Sequence, residues 1–128
     1  MNVIFYASQS SAERERLQRV IDIMVPREGK ESYLTMESLE KRLHKPILEP
    51  AVIVLLVSHK QELGQFFQLR DSLFDRKLIL ILPDDDQDTI SRSHALRPRF
   101  ITYSDGDFMD VSAVLGKMLN RFQGISSG

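Results

Sequence analysis

Two acidic stretches carry the side chains with the clearest capacity for chemistry. Asp84, Asp85 and Asp86 follow one apolar run, and Asp105 and Asp107 follow the next. Carboxylate oxygens are the ligands that Mg²⁺ and Ca²⁺ prefer, so these residues are the metal-ligand candidates of the chain, although their spacing does not match an EF-hand. Aspartate is also favoured in turns and at helix N-caps, which is the interpretation we favour. We therefore expect no resident metal, and a divalent-metal-responsive module is an alternative function.

Hydroxyl-bearing residues form a second group, directly after the first apolar run. Ser8, Gln9, Ser10 and Ser11 would place hydroxyls and free amides at a helix N-terminus, where phosphate groups bind. The stretch contains no glycine, and the chain contains no tryptophan to stack on a flavin ring. Helix capping is the favoured interpretation. A flavodoxin-like protein that binds a small molecule, nucleotide or flavin through this loop is the second alternative.

No arrangement of residues predicts covalent catalysis. The chain contains no cysteine, which excludes a thiol nucleophile. Ser58 and His59 stand side by side, but Ser58 lacks the flanking glycines of a nucleophile elbow. We therefore expect a protein that is not an enzyme and needs no cofactor.

Composition narrows the class of protein further. The 128 residues include 17 Lys and Arg against 18 Asp and Glu, a formal net charge of −1. This balance argues against the basic footprint of a nucleic-acid-binding protein. The longest apolar run, residues 51–57, is far shorter than the ~20 residues that span a bilayer. We expect a cytoplasmic protein with no nucleic-acid or membrane partner, folded as one domain over residues 1–123 with a flexible tail at 124–128.

Five apolar runs alternate with amphipathic segments and predict the elements that must position these side chains. The runs cover residues 3–6, 32–34, 51–57, 78–82 and 100–103. Short runs that are apolar on both faces are typical of strands covered on both sides. Strands that alternate with helices predict a parallel sheet between two helical layers. The predicted fold class is therefore α/β, a flavodoxin-like three-layer (βα)5 sandwich whose five-stranded sheet has the order 2-1-3-4-5.

Capping boxes predict where two of the helices begin. Ser10 pairs with Glu13, and Ser58 pairs with Gln61. The helix after Ser58 is expected to carry five apolar side chains toward the core: Leu63, Phe66, Phe67, Leu73 and Phe74. Ligands of open parallel sheets bind beyond the carboxyl ends of the strands, so the loops that follow the strands form the predicted functional edge.

Four features of the chain together define a pattern. They are its length, its five strand–helix units, the central strand followed by a Gly64-containing turn, and the acidic segment between the last strand and the last helix. In this pattern residues 1–122 resemble a bacterial response-regulator receiver domain. Receiver domains hold Mg²⁺ with an acidic pair after the first strand and accept a phosphoryl group on an Asp after the third. A hydroxyl after the fourth strand and a Lys after the fifth contact the phosphate. Metal ligands and a cation are needed because the transferred group carries negative charge.

This chain departs from the receiver pattern at every one of those positions. In their places stand Ser8, Gln9, Leu56, Ser58, Pro83 and Tyr103. The phosphoacceptor position is Leu56 when counted back from Gly64 and Ser58 when counted from the strand end, and neither residue is Asp. The resemblance therefore implies a pseudo-receiver that lacks the phosphoacceptor.

Receiver domains commonly dimerise or bind partners through their fourth helix, fifth strand and fifth helix. The corresponding face of this chain offers Arg92, Arg97, Arg99, Tyr103, Asp105, Asp107 and Lys117. Mixed charges on an exposed face suit a specific, salt-sensitive contact. The resemblance thus implies a non-phosphorylatable protein–protein interaction module in bacterial-type signal transduction. Its expected partner is a histidine kinase or another signalling protein, with a homodimer as a further assembly.

Overall fold

Five strands form at the five predicted apolar runs. The computed structural model describes residues 2–8, 11–46, 50–74 and 76–122, with side chains up to Met118. The strands are β1 (Asn2–Ala7), β2 (Lys30–Tyr33), β3 (Ala51–Leu56), β4 (Lys77–Leu82) and β5 (Phe100–Tyr103). Neighbouring strands all pair in parallel, in the order β2-β1-β3-β4-β5. The predicted flavodoxin-like α/β fold is confirmed.

The register brings the carboxyl ends of the inner strands to one edge. β3 lies at the centre because every one of its residues is apolar and buried, as a strand covered on both faces requires. Ala7 pairs with Leu56, and Leu56 pairs with Ile81. Leu82 pairs with Tyr103 at the end of β5. Residues that follow β1, β3, β4 and β5 are therefore neighbours.

Two helical layers cover the sheet. The helices are α1 (Ala12–Met24), α2 (Met36–His44), α3 (Gln61–Gln68), α4 (Arg70–Leu73), α5 (Gln87–His94) and α6 (Met109–Phe122), and a 3₁₀ turn at Arg27–Gly29 precedes β2. Successive strand residues point to opposite faces. Phe5 and Val54 accordingly pack in the layer of α1 and α6, whereas Ile4 and Ile53 pack in the layer of α2 to α5.

The helix starts differ from the predicted capping boxes. Ser11 is the N-cap of α1, and its hydroxyl accepts a hydrogen bond from the Arg14 N–H at 3.1 Å. Ser10 lies outside the described residues. The prediction that Ser58 and Gln61 form a capping box was wrong, because Lys60 is the N-cap of α3 and makes no side-chain capping bond.

The predicted continuous helix after β3 is broken into α3 and α4. Leu69 separates them, with a backbone (φ −97°, ψ 11°) that departs from helical values. The buried stripe of α3 runs through Leu63 and Phe66, and Phe67 lies beside it with 40% of its surface exposed. The prediction that Phe67 points into the core was therefore wrong, and Phe74 is only half-buried.

Within the described ranges, no helix is long and apolar enough to cross a bilayer. Residues 124–128, predicted as a flexible tail, lie outside the described residues.

Candidate functional site

A cavity of about 180 Å³ lies at the carboxyl edge of the sheet, and we call its surroundings the strand-end site. The lining residues are Ser11, Glu13, Leu56, Val57, Ser58, Pro83 and Ser104. Strand ends and the first turn of α1 supply them. The lining combines hydroxyls, one carboxylate and apolar surface, and no Lys or Arg is among these residues. A bound phosphoryl group would therefore meet no Lys or Arg among these lining residues, and the nearby guanidinium of Arg16 is already hydrogen bonded to the Ser104 carbonyl oxygen at 3.1 Å.

The positions predicted from the receiver resemblance are only partly brought together. Four of them come to the carboxyl edge: Ser8, Leu56, Ser58 and Pro83. The Ser8 and Ser58 hydroxyl oxygens lie 3.1 Å apart, so these two side chains hydrogen bond to each other. Tyr103 ends β5, but its side chain packs against the core of the α2–α5 layer. Gln9 lies outside the described residues.

A buried carboxylate, Glu62, lies directly behind the strand-end site. Its exposed fraction is 3%, and it is the one charged side chain among the buried residues that the structure describes. One carboxylate oxygen accepts a hydrogen bond from the Ser58 N–H at 2.7 Å, and the other accepts one from the Tyr6 hydroxyl at 3.3 Å. A buried charge is tolerated only when it is hydrogen bonded, and Glu62 meets that condition with two donors.

The sequence contained a signal for Glu62 that the capping interpretation missed. Glu62 lies in the first turn of α3, where a carboxylate is favoured by the helix dipole. It lies four residues before Phe66, and residues with this spacing share one face of a helix. Because Lys60 offers no acceptor as N-cap, Glu62 reaches back to the backbone of Ser58 instead.

Tyr6 completes this network from the sheet. Its ring is 2% exposed and meets Phe66 edge-on, with ring centroids 5.6 Å apart. Burial, followed by the negative charge of Glu62, raises the pKa of Tyr6 to about 12. The Tyr6 hydroxyl therefore stays protonated at neutral pH and acts as a donor to Glu62. These groups satisfy one another, which makes them a structural support for the site.

The acidic loops do not assemble into a metal centre. Asp84 accepts a hydrogen bond from the Asp86 N–H at 3.1 Å, and Asp107 accepts one from the Met109 N–H at 3.1 Å. The remaining candidates, Asp85 and Asp105, are exposed. Among the described residues, no three His, Cys, Asp or Glu side chains come together as metal ligands. These contacts are the turn and cap bonds expected of aspartate.

The residues of the predicted partner face lie on or beside α5, β5 and α6. Arg92 is exposed on α5, and the Arg97 guanidinium lies 4.4 Å from the ring centroid of Phe74. Arg99 and Lys117 come together at a cavity of about 160 Å³ near the amino end of β5. Asp105 and Asp107 follow the opposite end of that strand. The face as predicted therefore spans both ends of β5.

The loop after β1 gives the flavin alternative little support. The hydroxyl of Ser11 is already used as the N-cap of α1. The cavity beside it, about 180 Å³, is smaller than the roughly 300 Å³ or more of typical small-molecule sites.

We compared the chain with protein-family models, with curated proteins and with solved structures, and found no match in any of the three. The fold and the side-chain geometry are therefore the basis for any functional proposal.

Proposed function

We propose that this chain is a receiver-like domain that acts by binding another protein and does not accept a phosphoryl group. The observation that carries the proposal is the composition of the strand-end site. By the receiver resemblance the phosphoacceptor would stand at Leu56 or at Ser58, neither of which is Asp, and no Lys or Arg is among the described residues that line the cavity.

Phosphoryl transfer to this site would lack its electrostatic requirements. A transferred phosphoryl group needs metal-bound carboxylates and a cation to offset its charge. Glu13 is the one carboxylate among the lining residues, and it would repel the group in the absence of a metal. Glu62 is buried away from the cavity, with 3% of its surface exposed, and its two oxygens are held by hydrogen bonds from Ser58 and Tyr6.

A signalling protein, such as a histidine kinase, is the partner that the receiver-like architecture favours. The exposed cations of the chain, Arg92 and Arg99 among them, would give such a contact a dependence on salt. The fold alone does not select a function, so the proposal depends on the missing phosphorylation chemistry and on the surface.

Isothermal titration of the full chain with beryllofluoride and Mg²⁺ tests this proposal. Beryllofluoride mimics a phosphoryl group on an acidic acceptor, and we expect no saturable heat. Ser58→Asp is the matched variant, and we expect it to remain inactive because the site still lacks a cation. Saturable binding by the wild-type chain would contradict the proposal, and binding gained by Ser58→Asp would contradict the requirement for the cation.

A further inference from the structure

An apolar groove lies on the helical surface, away from the strand-end site. It has a volume of about 270 Å³ and lies between α3 and α5, and we call it the α3–α5 groove. Its lining residues are Leu63, Gly64, Phe67, Arg92 and Ala95. The volume is below the roughly 300 Å³ of small-molecule sites, so a protein side chain is a better match than a cofactor.

Gly64 lines this groove, and no neighbouring atom of the chain requires a glycine there. A Cβ atom placed on Gly64 would have no atom within 4 Å. Glycine inside a helix lowers its stability, and it is found where another molecule approaches the backbone closely. The packing of a single chain therefore does not require glycine at this position. The absence of a side chain does leave room for a side chain of another molecule.

The rim of the α3–α5 groove, which we define by Lys60, Arg70, Asp88 and Arg92, carries three cations and one carboxylate. Lys60 Nζ lies 3.4 Å from the Asp88 carboxylate, and Arg92 Nε lies 3.2 Å from it, so two cations share one carboxylate. The guanidinium of Arg70 lies 4.4 Å from the ring centroid of Phe67. An occupant with an apolar side chain between carboxylates would match this surface.

The chain itself presents such a segment at residues 105–110, which we call the Met109 segment. Met109 is 71% exposed, although it is a large apolar side chain. Asp105, Asp107 and Asp110 surround it in sequence, and all three are exposed. None of the three forms an ion pair within the part of the chain that the structure describes.

Two contacts hold the Met109 segment in place. Arg16 donates hydrogen bonds to the carbonyl oxygens of Ser104 and Gly106, at 3.1 and 3.3 Å. Phe108 adopts φ 65°, a left-handed conformation that is costly for a bulky residue, and its side chain is buried. Backbone strain of this kind is concentrated at functional positions. The strained turn buries Phe108 and leaves Met109 exposed to solvent.

We propose that Met109 of one copy docks into the α3–α5 groove of a second copy, in a head-to-tail contact. The inference rests on the protein-binding role proposed above and names a partner for it. Because the two surfaces are different, a pair of copies keeps one free groove and one free Met109 segment, so the assembly grows as a chain or closes as a ring. The contact is small, so association is weak and depends on concentration.

Sedimentation velocity of the full chain tests the contact. Between roughly 10 µM and 1 mM, a range that covers weak association, we expect the average sedimentation coefficient to rise without a plateau at the dimer. Gly64→Glu fills the groove with a carboxylate that repels the acidic Met109 segment, and Met109→Lys removes the apolar anchor and repels the cationic rim. Each variant alone is expected to stay monomeric, whereas their equimolar mixture forms a one-to-one dimer that grows no further.

The controls separate the contact from effects on folding. Ile23→Lys removes an apolar side chain that is 82% exposed on α1, and Gly116→Ala alters a glycine in the other helical layer; both are expected to associate as the wild type does. Gly64→Ala is a second groove variant, expected to raise Tm while it weakens association several-fold.

A wild-type chain that stays monomeric up to about 1 mM would overturn the head-to-tail contact, as would a plateau at the dimer or a mixture that stays monomeric. These results are independent of beryllofluoride binding, so failure here and failure of the proposed function are distinguishable.

Discussion

The strand-end site and the α3–α5 groove differ in how many partners their side chains have within one chain. At the strand-end site, Ser8 and Ser58 bond to each other, and Glu62 accepts bonds from Ser58 and Tyr6. In the groove, Gly64 has no neighbour within 4 Å of a Cβ position, and Phe67 is 40% exposed. The edge that serves chemistry in related folds has its key polar groups paired, whereas the helical surface has unfilled apolar space.

This difference indicates where changes will act. Substitutions in the hydrogen-bond network behind the strand-end site should cost folding stability, because its groups stabilise the central strands. Substitutions in the groove should leave stability unchanged or raise it, and should affect binding instead. Four measurements test this contrast between the two regions.

Glu62→Ala should have the largest effect on stability. It leaves the Ser58 N–H and the buried Tyr6 hydroxyl without an acceptor, which should lower the free energy of unfolding by about 2–4 kcal/mol. Urea denaturation measures this change. Glu13→Ala is the matched control, a first-turn carboxylate that lines the cavity, and should cost less than about 1 kcal/mol. Equal losses of stability in the two variants would contradict the distinction between Glu62, which supports the site, and Glu13, which only lines the cavity.

Alkaline unfolding should report on Tyr6. Its pKa is about 10 when unfolded and about 12 when folded, because burial and then the charge of Glu62 disfavour ionisation. The contribution is complete below pH 10 and is lost as the pH rises from 10 to 12, by about 2–3 kcal/mol. Tyr33 shifts in the same direction, so Tyr6→Phe should retain part of the alkaline loss. An unchanged pH profile in Tyr6→Phe would contradict this role for Tyr6.

Gly64→Ala should act in the opposite direction. It introduces a better helix former where a Cβ meets open space, which should raise the free energy of unfolding by about 0.5–1 kcal/mol. Thermal and urea denaturation measure the gain. A loss of stability would show that the glycine is needed for the fold, and the groove would lose its distinguishing feature.

Asp88→Asn should change stability least and affect the groove alone. Hydrogen bonding from Arg92 holds the pKa of Asp88 below its usual range, yet the side chain is exposed. Removing its charge leaves Lys60 and Arg92 without their shared carboxylate. We expect stronger association with a steeper dependence on salt, measured by sedimentation velocity at two ionic strengths. Weaker association would show that Asp88 itself makes the contact.

The fold was largely predictable because it depends on local patterns. Apolar runs located all five strands, and their alternation with helices gave the sheet order. The meeting of Ser8 and Ser58 was also predictable, since both follow neighbouring parallel strands. The strands, their order and this contact can be predicted from the period and length of each apolar segment alone.

The remaining features depend on contacts that are distant in sequence. Glu62 is buried because Tyr6, 56 residues away, supplies a hydroxyl donor, and no local pattern shows this. The apolar spacing predicted that Phe67 is a core residue. In the structure the helix ends before Leu69, and the buried residues of α3 are Glu62, Leu63 and Phe66. Arg99 and Asp105 lie at opposite ends of β5, which the bounds of that strand determine and no charge count reveals.

We propose that the helical surface binds protein while the strand-end site binds no phosphoryl group. An amide chemical-shift map of the ¹⁵N-labelled full chain tests it most directly, first over a concentration series and then with Mg²⁺ and beryllofluoride. We predict concentration-dependent shifts at Leu63, Phe67, Ala95 and Met109, and no saturable shifts at Ser8, Ser58 and Ser104. Saturable shifts at those serines, with none at the groove, would contradict the claim.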